Sequence, residues 1–257
     1  MKIFGINRWG QKSRTKSKNI YSYIPTKYTV KSNVKPEAQQ MSKVVVSLSG
    51  GKDSMYALYA ALKEGQKIDY LMFIKIGGKA HLENKWLMKL VSESIGIPAV
   101  TVGGKVPQIR KALQKLNAGT FISGVMTTPE HIDYYREICD PIQVKHYAPL
   151  WGKNPFAALA EMKQLGFRML VIEVDTSMGA NRNWLGKEID EYMIRELEKL
   201  KAERSINPIG EFGEYHTIVL DCPIYKKRIN VTKSKIVWKK SKGYFEIKKA
   251  ELQPKTT

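Results

Sequence analysis

Six consecutive residues, Ser49-Gly50-Gly51-Lys52-Asp53-Ser54, have the types and spacing to do chemistry. Gly50 and Gly51 carry no side chains, so backbone N–H groups can converge there on an anion. Ser49 and Ser54 can donate hydroxyl hydrogen bonds, and Lys52 can bring a positive charge. Asp53 can cap a helix or help hold a magnesium ion. The combination describes a phosphate cradle; the plain alternative is a glycine turn with a capping Asp. It is not the GxxxxGK[ST] loop, whose first glycine would fall at Val46 and whose Ser/Thr would fall at Asp53. No GxGxxG run is present either.

The cradle needs a strand before it and a helix after it, and the pattern supplies both. Lys43 to Leu48 is a Val-rich strand, and Ser54 to Glu64 reads as a helix with Met55, Leu58, Tyr59 and Leu62 on one face, stopping at Gly65. The positive end of that helix adds to the cradle. Alternation continues: strand 68–76, helix 81–95, strand 99–102, helix 106–116, strand 120–125, helix 129–138 and strand 143–147. Five strands alternating with helices predict a doubly wound parallel sheet, an α/β fold that binds ligands at the carboxyl ends of its strands. Past Trp151 the rhythm loosens into helix 155–165, strand 167–174, a long charged helix 187–204 and strand-like runs at 216–220, 228–237 and 244–247. The expected organisation is a basic, disordered extension over 1–40, a nucleotide-binding domain over 41–150, and a smaller α+β substrate-binding domain with a basic tail over 151–257. Met41 opens directly into the first strand, and the expectation is that the native chain starts there; finding Met1 in an N-terminal mass measurement would refute it.

In this strand–loop–helix context the run resembles the SGGxDS motif of the PP-loop ATP pyrophosphatase family. The resemblance implies an adenine nucleotide alpha hydrolase-like fold. It also implies cleavage of ATP between the α- and β-phosphates, adenylation of a substrate oxygen, and displacement of AMP by a nucleophile. A second block narrows the family. Gly210-Glu211-Phe212-Gly213-Glu214-Tyr215-His216-Thr217, followed by Leu220-Asp221-Cys222-Pro223 and Lys226-Lys227, resembles the GExGEYxT…LDCP…KK signature of diphthine–ammonia ligases. Supporting stretches are Gly124, Pro149-Leu150-Trp151, and Leu185-Gly186-Lys187 with Asp190. The resemblance runs in order from about residue 43 to 238. It implies amidation of the diphthine carboxylate on elongation factor 2, with ATP and magnesium, and with free ammonium as co-substrate.

The residues suit that chemistry. Diphthine carries a trimethylammonium group and a carboxylate. Glu211 and Glu214 can offset the cation, and Tyr215 or Trp151 can face it through a cation–π contact. Either Glu can instead bind ammonium or take the proton it loses on attack. Gly213 and Thr217 complete the block; His216 is favoured as a core histidine over a substrate contact, and Lys187 reads equally as a phosphate contact or a solvated helix-start lysine. Gly124 and Thr128 are expected at the nucleotide, with Asp53 as the magnesium contact. One stretch departs from the family. Where a Ser-Asp-Tyr-Gln-Arg run is typical, this chain has Thr128-Pro129-Glu130-His131-Ile132. Thr128 keeps the hydroxyl, and Glu130, His131 or Tyr134 can substitute for the rest, unless the substrate differs. His131 and Cys139 lack two further ligands spaced for zinc.

Composition bounds the alternatives. The chain has 257 residues, 43% apolar, with two cysteines, Cys139 and Cys222. That excludes collagenous, coiled-coil and disulfide-stapled proteins. No apolar run reaches a membrane-spanning length and no signal peptide is evident, so the expected location is cytoplasmic. The net charge of +19 is concentrated at the ends: residues 1–40 hold nine Lys/Arg against one acid, and residues 226–257 hold eleven against two. Such ends can make weak contact with RNA or a ribosome, or simply be solvated. Two other functions fit less well. A PP-loop tRNA-modifying enzyme, such as a thiolase or lysidine synthetase, has no part for the GEFGEYHT block, and sulfur transfer usually needs a cysteine pair or an iron–sulfur CxxC. A non-catalytic RNA- or ribosome-binding module would have no need of an intact SGGKDS run.

Overall fold

The computed structural model describes residues 42–255, apart from Gly77 and Ser205. The extension expected over 1–40 lies outside the described residues. The first half is built from β1 (Lys43–Ser47), α1 (Lys52–Lys63), β2 (Tyr70–Lys75), α2 (Lys79–Glu83), α3 (Leu87–Ile95), β3 (Ala99–Gly103), α4 (Val106–Lys115), β4 (Ala118–Ile122), α5 (Pro129–Cys139) and β5 (Lys145–Tyr147). Its five strands are all parallel, in the order β3-β2-β1-β4-β5. This is the doubly wound α/β sheet that the sequence predicts. The order reverses between β1 and β4, and the crevice beyond their carboxyl ends is where such sheets receive ligands.

The second half comprises α6 (Pro155–Gln164), β6 (Arg168–Asp175), α7 (Glu191–Arg204), β7 (Tyr215–Asp221), β8 (Arg228–Lys239) and β9 (Lys242–Gln253). Its four strands form an antiparallel sheet ordered β7-β6-β9-β8. One hydrophobic cluster runs from Val46, Met55 and Leu58 of the first half through Met88 and Val91 to Ile172, Ile218 and Ile247 of the second. A smaller cluster under α4 and α5 includes Val45, Ile109, Phe121 and Ile138.

Three expectations change. The helix read over 81–95 is two, α2 and α3, with a turn at Asn84–Trp86. The reason is Asn84: its Nδ2 donates to the Phe245 carbonyl and its Oδ1 accepts from the Ile247 N–H, which ties the turn to β9. The charged helix starts at Glu191, not Lys187, because residues 186–189 run beside β6 and exchange backbone hydrogen bonds with Val171 and Met169. The basic C-terminal segment is no tail. Residues 228–253 form the β8–β9 ribbon, joined by a tight turn at Lys240, whose φ is 53°.

Candidate active site

β1 delivers the loop to the crevice, and α1 begins inside it at Lys52, with Gly51 as N-cap. Gly50 has a φ of 78°, and a Cβ there would lie 2.4 Å from Met88 Cε and 2.7 Å from Ile218 Cδ1. Only glycine satisfies both the conformation and the packing. The loop is closed by its own hydroxyls: Ser54 Oγ donates to the Gly51 carbonyl and accepts from the Ser49 N–H. β7 holds it from the other side. The Val219 N–H donates to the Gly50 carbonyl at 2.8 Å, and the Lys52 N–H donates to Thr217 Oγ1 at 3.1 Å.

Lys52 does not reach outward. It is 2% exposed, and its Nζ donates to Asp53 Oδ2 at 3.0 Å and to the Ile209 carbonyl at 2.5 Å, with the Tyr215 ring 4.8 Å away. Its charge thus welds the loop to the 207–215 turn. Asp53 Oδ1 is shut off from solvent and has no hydrogen-bond partner among the described residues. Burial raises the Asp53 carboxyl above its usual range, and Lys52 acts against that shift. An orphaned, buried carboxylate oxygen beside a phosphate-type loop suits a bound cation or a ligand hydrogen bond. No group of three or more His, Cys, Asp or Glu side chains among the described residues forms a metal cluster. Magnesium bound through one carboxylate and substrate phosphates needs none.

Glu211 is saturated. Its carboxylate accepts from the Met126 N–H (2.8 Å), the Thr127 N–H (3.0 Å), Thr127 Oγ1 and Thr128 Oγ1 (2.8 Å). These donors hold its carboxyl below the usual range despite burial. The stretch that departs from the family therefore supplies, through Thr128 and its neighbour Thr127, the clamp on Glu211. Glu214 is 3% exposed and accepts from the Asn207 and Phe212 N–H groups, bracing its own turn. Tyr215 Oη donates to the Pro208 carbonyl.

Two cavities meet at this loop. The first, about 270 Å³, is lined by Ser47, Leu48, Ser49, Asp53, Ser54, Ile74, Ile76, Gly124, Val125, His131, Tyr134, Tyr135 and Glu211. Its apolar wall and its place at the β1/β4 crevice suit a nucleoside. Gly124 is required there, since a Cβ would lie 2.7 Å from the Asp53 carbonyl carbon. Tyr134 Oη is buried without a partner among the described residues. The second cavity, about 150 Å³, is lined by the loop, His81, the 209–211 turn, Tyr215, His216 and Thr217. Ser49, Asp53 and Glu211 form the wall that the two share.

Most of the residues singled out in the sequence converge here. Trp151 and Lys187 do not: Trp151 is 47% exposed, Lys187 is exposed beside β6, and neither lines either of these two cavities. Gly213 lies at the turn with a φ of 95°. His216 is not a core residue. It lines the second cavity with its ring centroid 5.1 Å from that of His81, a residue the sequence reading missed.

Residues 42–146 match the model of the diphthamide synthase N-terminal domain, and residues 154–252 match that of the diphthamide synthase C-terminal domain. The chain belongs to the diphthamide synthase family. Among similar proteins is one named diphthine–ammonia ligase from Danio rerio, 25% identical over 233 residues, covering 76% of this chain and 88% of that protein. One of the same name from Homo sapiens is 25% identical over 235 residues, covering 76% and 85%. A third, from Schizosaccharomyces pombe, is 33% identical over 125 residues, 49% of this chain and 20% of a longer protein. The boundary between the two family matches, 147–153, falls between the parallel and antiparallel sheets, so the cavities lie where the two family domains meet. No described helix is long and apolar enough to cross a membrane.

Proposed function

We infer that this chain is an ATP-dependent amide ligase that converts the diphthine carboxylate of elongation factor 2 to the amide of diphthamide. The observation that carries the reading is the junction itself: the SGGKDS loop of one family domain is closed by the Thr217–Val219 strand of the other. The first cavity takes the adenosine, against a wall that includes Gly124, Val125 and Tyr134. The phosphates lie against Ser49 to Ser54, at the positive end of α1. Asp53 is the residue that would hold magnesium, which supplies charge neutralisation as pyrophosphate departs.

The diphthine carboxylate enters by the second cavity and meets the α-phosphorus at the wall formed by Ser49, Asp53 and Glu211. A carboxylate oxygen forms the new P–O bond while the bond to pyrophosphate breaks. Ammonium then supplies the nitrogen, and AMP leaves with the C–O electron pair. Glu211 and Glu214, filled by the protein's own donors, serve to position the loop and turn. Trp151 stands on the outer surface, where it can meet the modified-histidine side chain or its surroundings. The reaction belongs in the cytosol, where elongation factor 2 works.

Reconstitution tests the reading. The protein is mixed with ATP, magnesium, ammonium and diphthine-bearing elongation factor 2, while AMP and the modified-histidine peptide are followed. Diphthine-dependent AMP release with the acid-to-amide mass change is expected. AMP without amide would refute the acceptor, and salt-dependent RNA binding without turnover would favour the binding-module reading instead.

A further inference from the structure

The second cavity contains six titratable side chains: Lys52, Asp53, His81, Glu211, Tyr215 and His216. Four are committed. Lys52 is tied to Asp53 and the Ile209 carbonyl, Asp53 faces the nucleotide loop, Glu211 is filled by Met126 to Thr128, and Tyr215 donates to Pro208. The two imidazoles remain, His81 with one ring nitrogen already bonded to the Ser49 backbone. We propose that His81 and His216 form the proton-accepting pair of the amidation step, facing the ammonia that attacks the adenylated carboxyl group.

The fold places them with care. His81 comes from the β2–β3 crossover, a long way in sequence from β7. Glu173 of β6 accepts from the Ala80 N–H, and Asn84 is bonded to β9, so α2 is pinned to the second sheet on both sides of His81. His216 stands across from Glu173 in the β6–β7 ladder. The two rings meet edge to face, 69° apart in plane. A Cβ on Gly51 would lie 3.7 Å from His81 Cε1, so the pair borders the phosphate loop itself.

Both groups are held in the neutral form. Burial, then Lys52, takes His81 down to about 4; burial, then His81, Lys52 and Lys242, takes His216 down to about 3. The Ser49 backbone acts in the opposite direction on His81. At these values the imidazoles are weak bases; the negative charge of a nucleotide held at the loop would raise their basicity. The balance is closed. Ammonium loses two protons in becoming the amide nitrogen, one to free its lone pair and one after the C–N bond forms. The C–O bond to AMP breaks, and AMP departs with that electron pair. Two neutral imidazoles can take the two protons.

This inference rests on the ligase reading, and the experiment separates the two. Wild-type protein is first assayed for diphthine-dependent ATP–pyrophosphate exchange, the adenylation half-reaction; its absence would remove the ligase reading and this inference with it. His216→Gln and His81→Asn, each with a wild-type-like melt, are then compared in three assays: exchange, amide formation from ammonium, and hydroxamate formation from hydroxylamine, which is neutral at pH 7. If His81→Asn does not fold, His216→Gln carries the test alone. Amide formation should fall on the order of a hundredfold, the scale of a lost general base, with hydroxamate and exchange within a few-fold of wild type. Equal loss in exchange would place the pair on the phosphates instead. Equal loss with hydroxylamine and ammonium would show that the pair does not take the proton that frees the lone pair of ammonia. Either result overturns the proposal.

Discussion

Replacing Glu211 with Gln tests whether the carboxylate is a clamp. The side chain keeps its size, and the two threonine hydroxyls can reverse and accept from the new amide. The backbone donors of Met126 and Thr127 cannot reverse, and they lose an ionised acceptor at 2.8 Å and 3.0 Å. A hydrogen bond to a charged group contributes about 1.5–3 kcal/mol, against about 1 kcal/mol for a neutral one. Two such exchanges predict a loss of about 2–3 kcal/mol. For a chain of this size that lowers Tm by roughly 5–10 °C. The pH dependence has a definite sign. The folded carboxyl lies below its ordinary value of 4.5, so its contribution is present above that value and is lost as pH falls through the folded one. Thermal melts of both proteins should therefore be well separated near neutral pH and converge as pH falls below 4.5 and through the folded value. Melting curves that coincide near neutrality, or that stay equally separated in acid, would refute the clamp.

Other outcomes follow from the same geometry. Asp53→Ala should lower AMP formation by at least about a hundredfold, measured under saturating ATP, while Lys52 keeps its bond to Ile209 and the fold survives. Gly124→Ala forces a Cβ to within 2.7 Å of the Asp53 backbone, so calorimetry should show nucleotide affinity reduced at least about tenfold. Cys139 and Cys222 are buried, with burial raising both thiols to about 12; neither should react with a thiol reagent at pH 8 until the protein unfolds.

The parallel sheet was legible because its strands and most of its helices announce themselves locally: Val45 and Val46 in a buried strand, and Gly65 as a helix stop. The loop was legible because six adjacent residues carry it. The rest of the site depends on contacts that no local pattern records. Glu211 meets its donors across 83 to 85 positions, and Asn84 breaks its helix through partners 161 and 163 residues away. His81 sits on a five-residue helix whose sequence gives no sign of the sheet it faces. Lys52 looks like a phosphate ligand from its neighbours alone. Its burial follows from Ile209 and Tyr215, which approach only when the second half folds over the loop. β8 and β9 run longer than the apolar alternation suggests, because their outer positions are lysines in place of apolar residues.

Those lysines change what the chain's positive charge is for. Among the described residues β8 pairs only with β9, leaving its other side as a sheet edge, the place where one copy of a protein can zip onto another. Lys233, Lys235 and Lys239 stand exposed along that edge, around the half-exposed Ile236. A strand arriving from a second copy would have to bring its own lysines against them and desolvate both sets. The opposite edge, β7, is met differently, by the Ser49–Ser54 loop, where the Val219 N–H donates to the Gly50 carbonyl. Charge guards one side of the sheet and the Ser49–Ser54 loop guards the other, so neutralising the edge lysines should cost solubility well before it costs turnover.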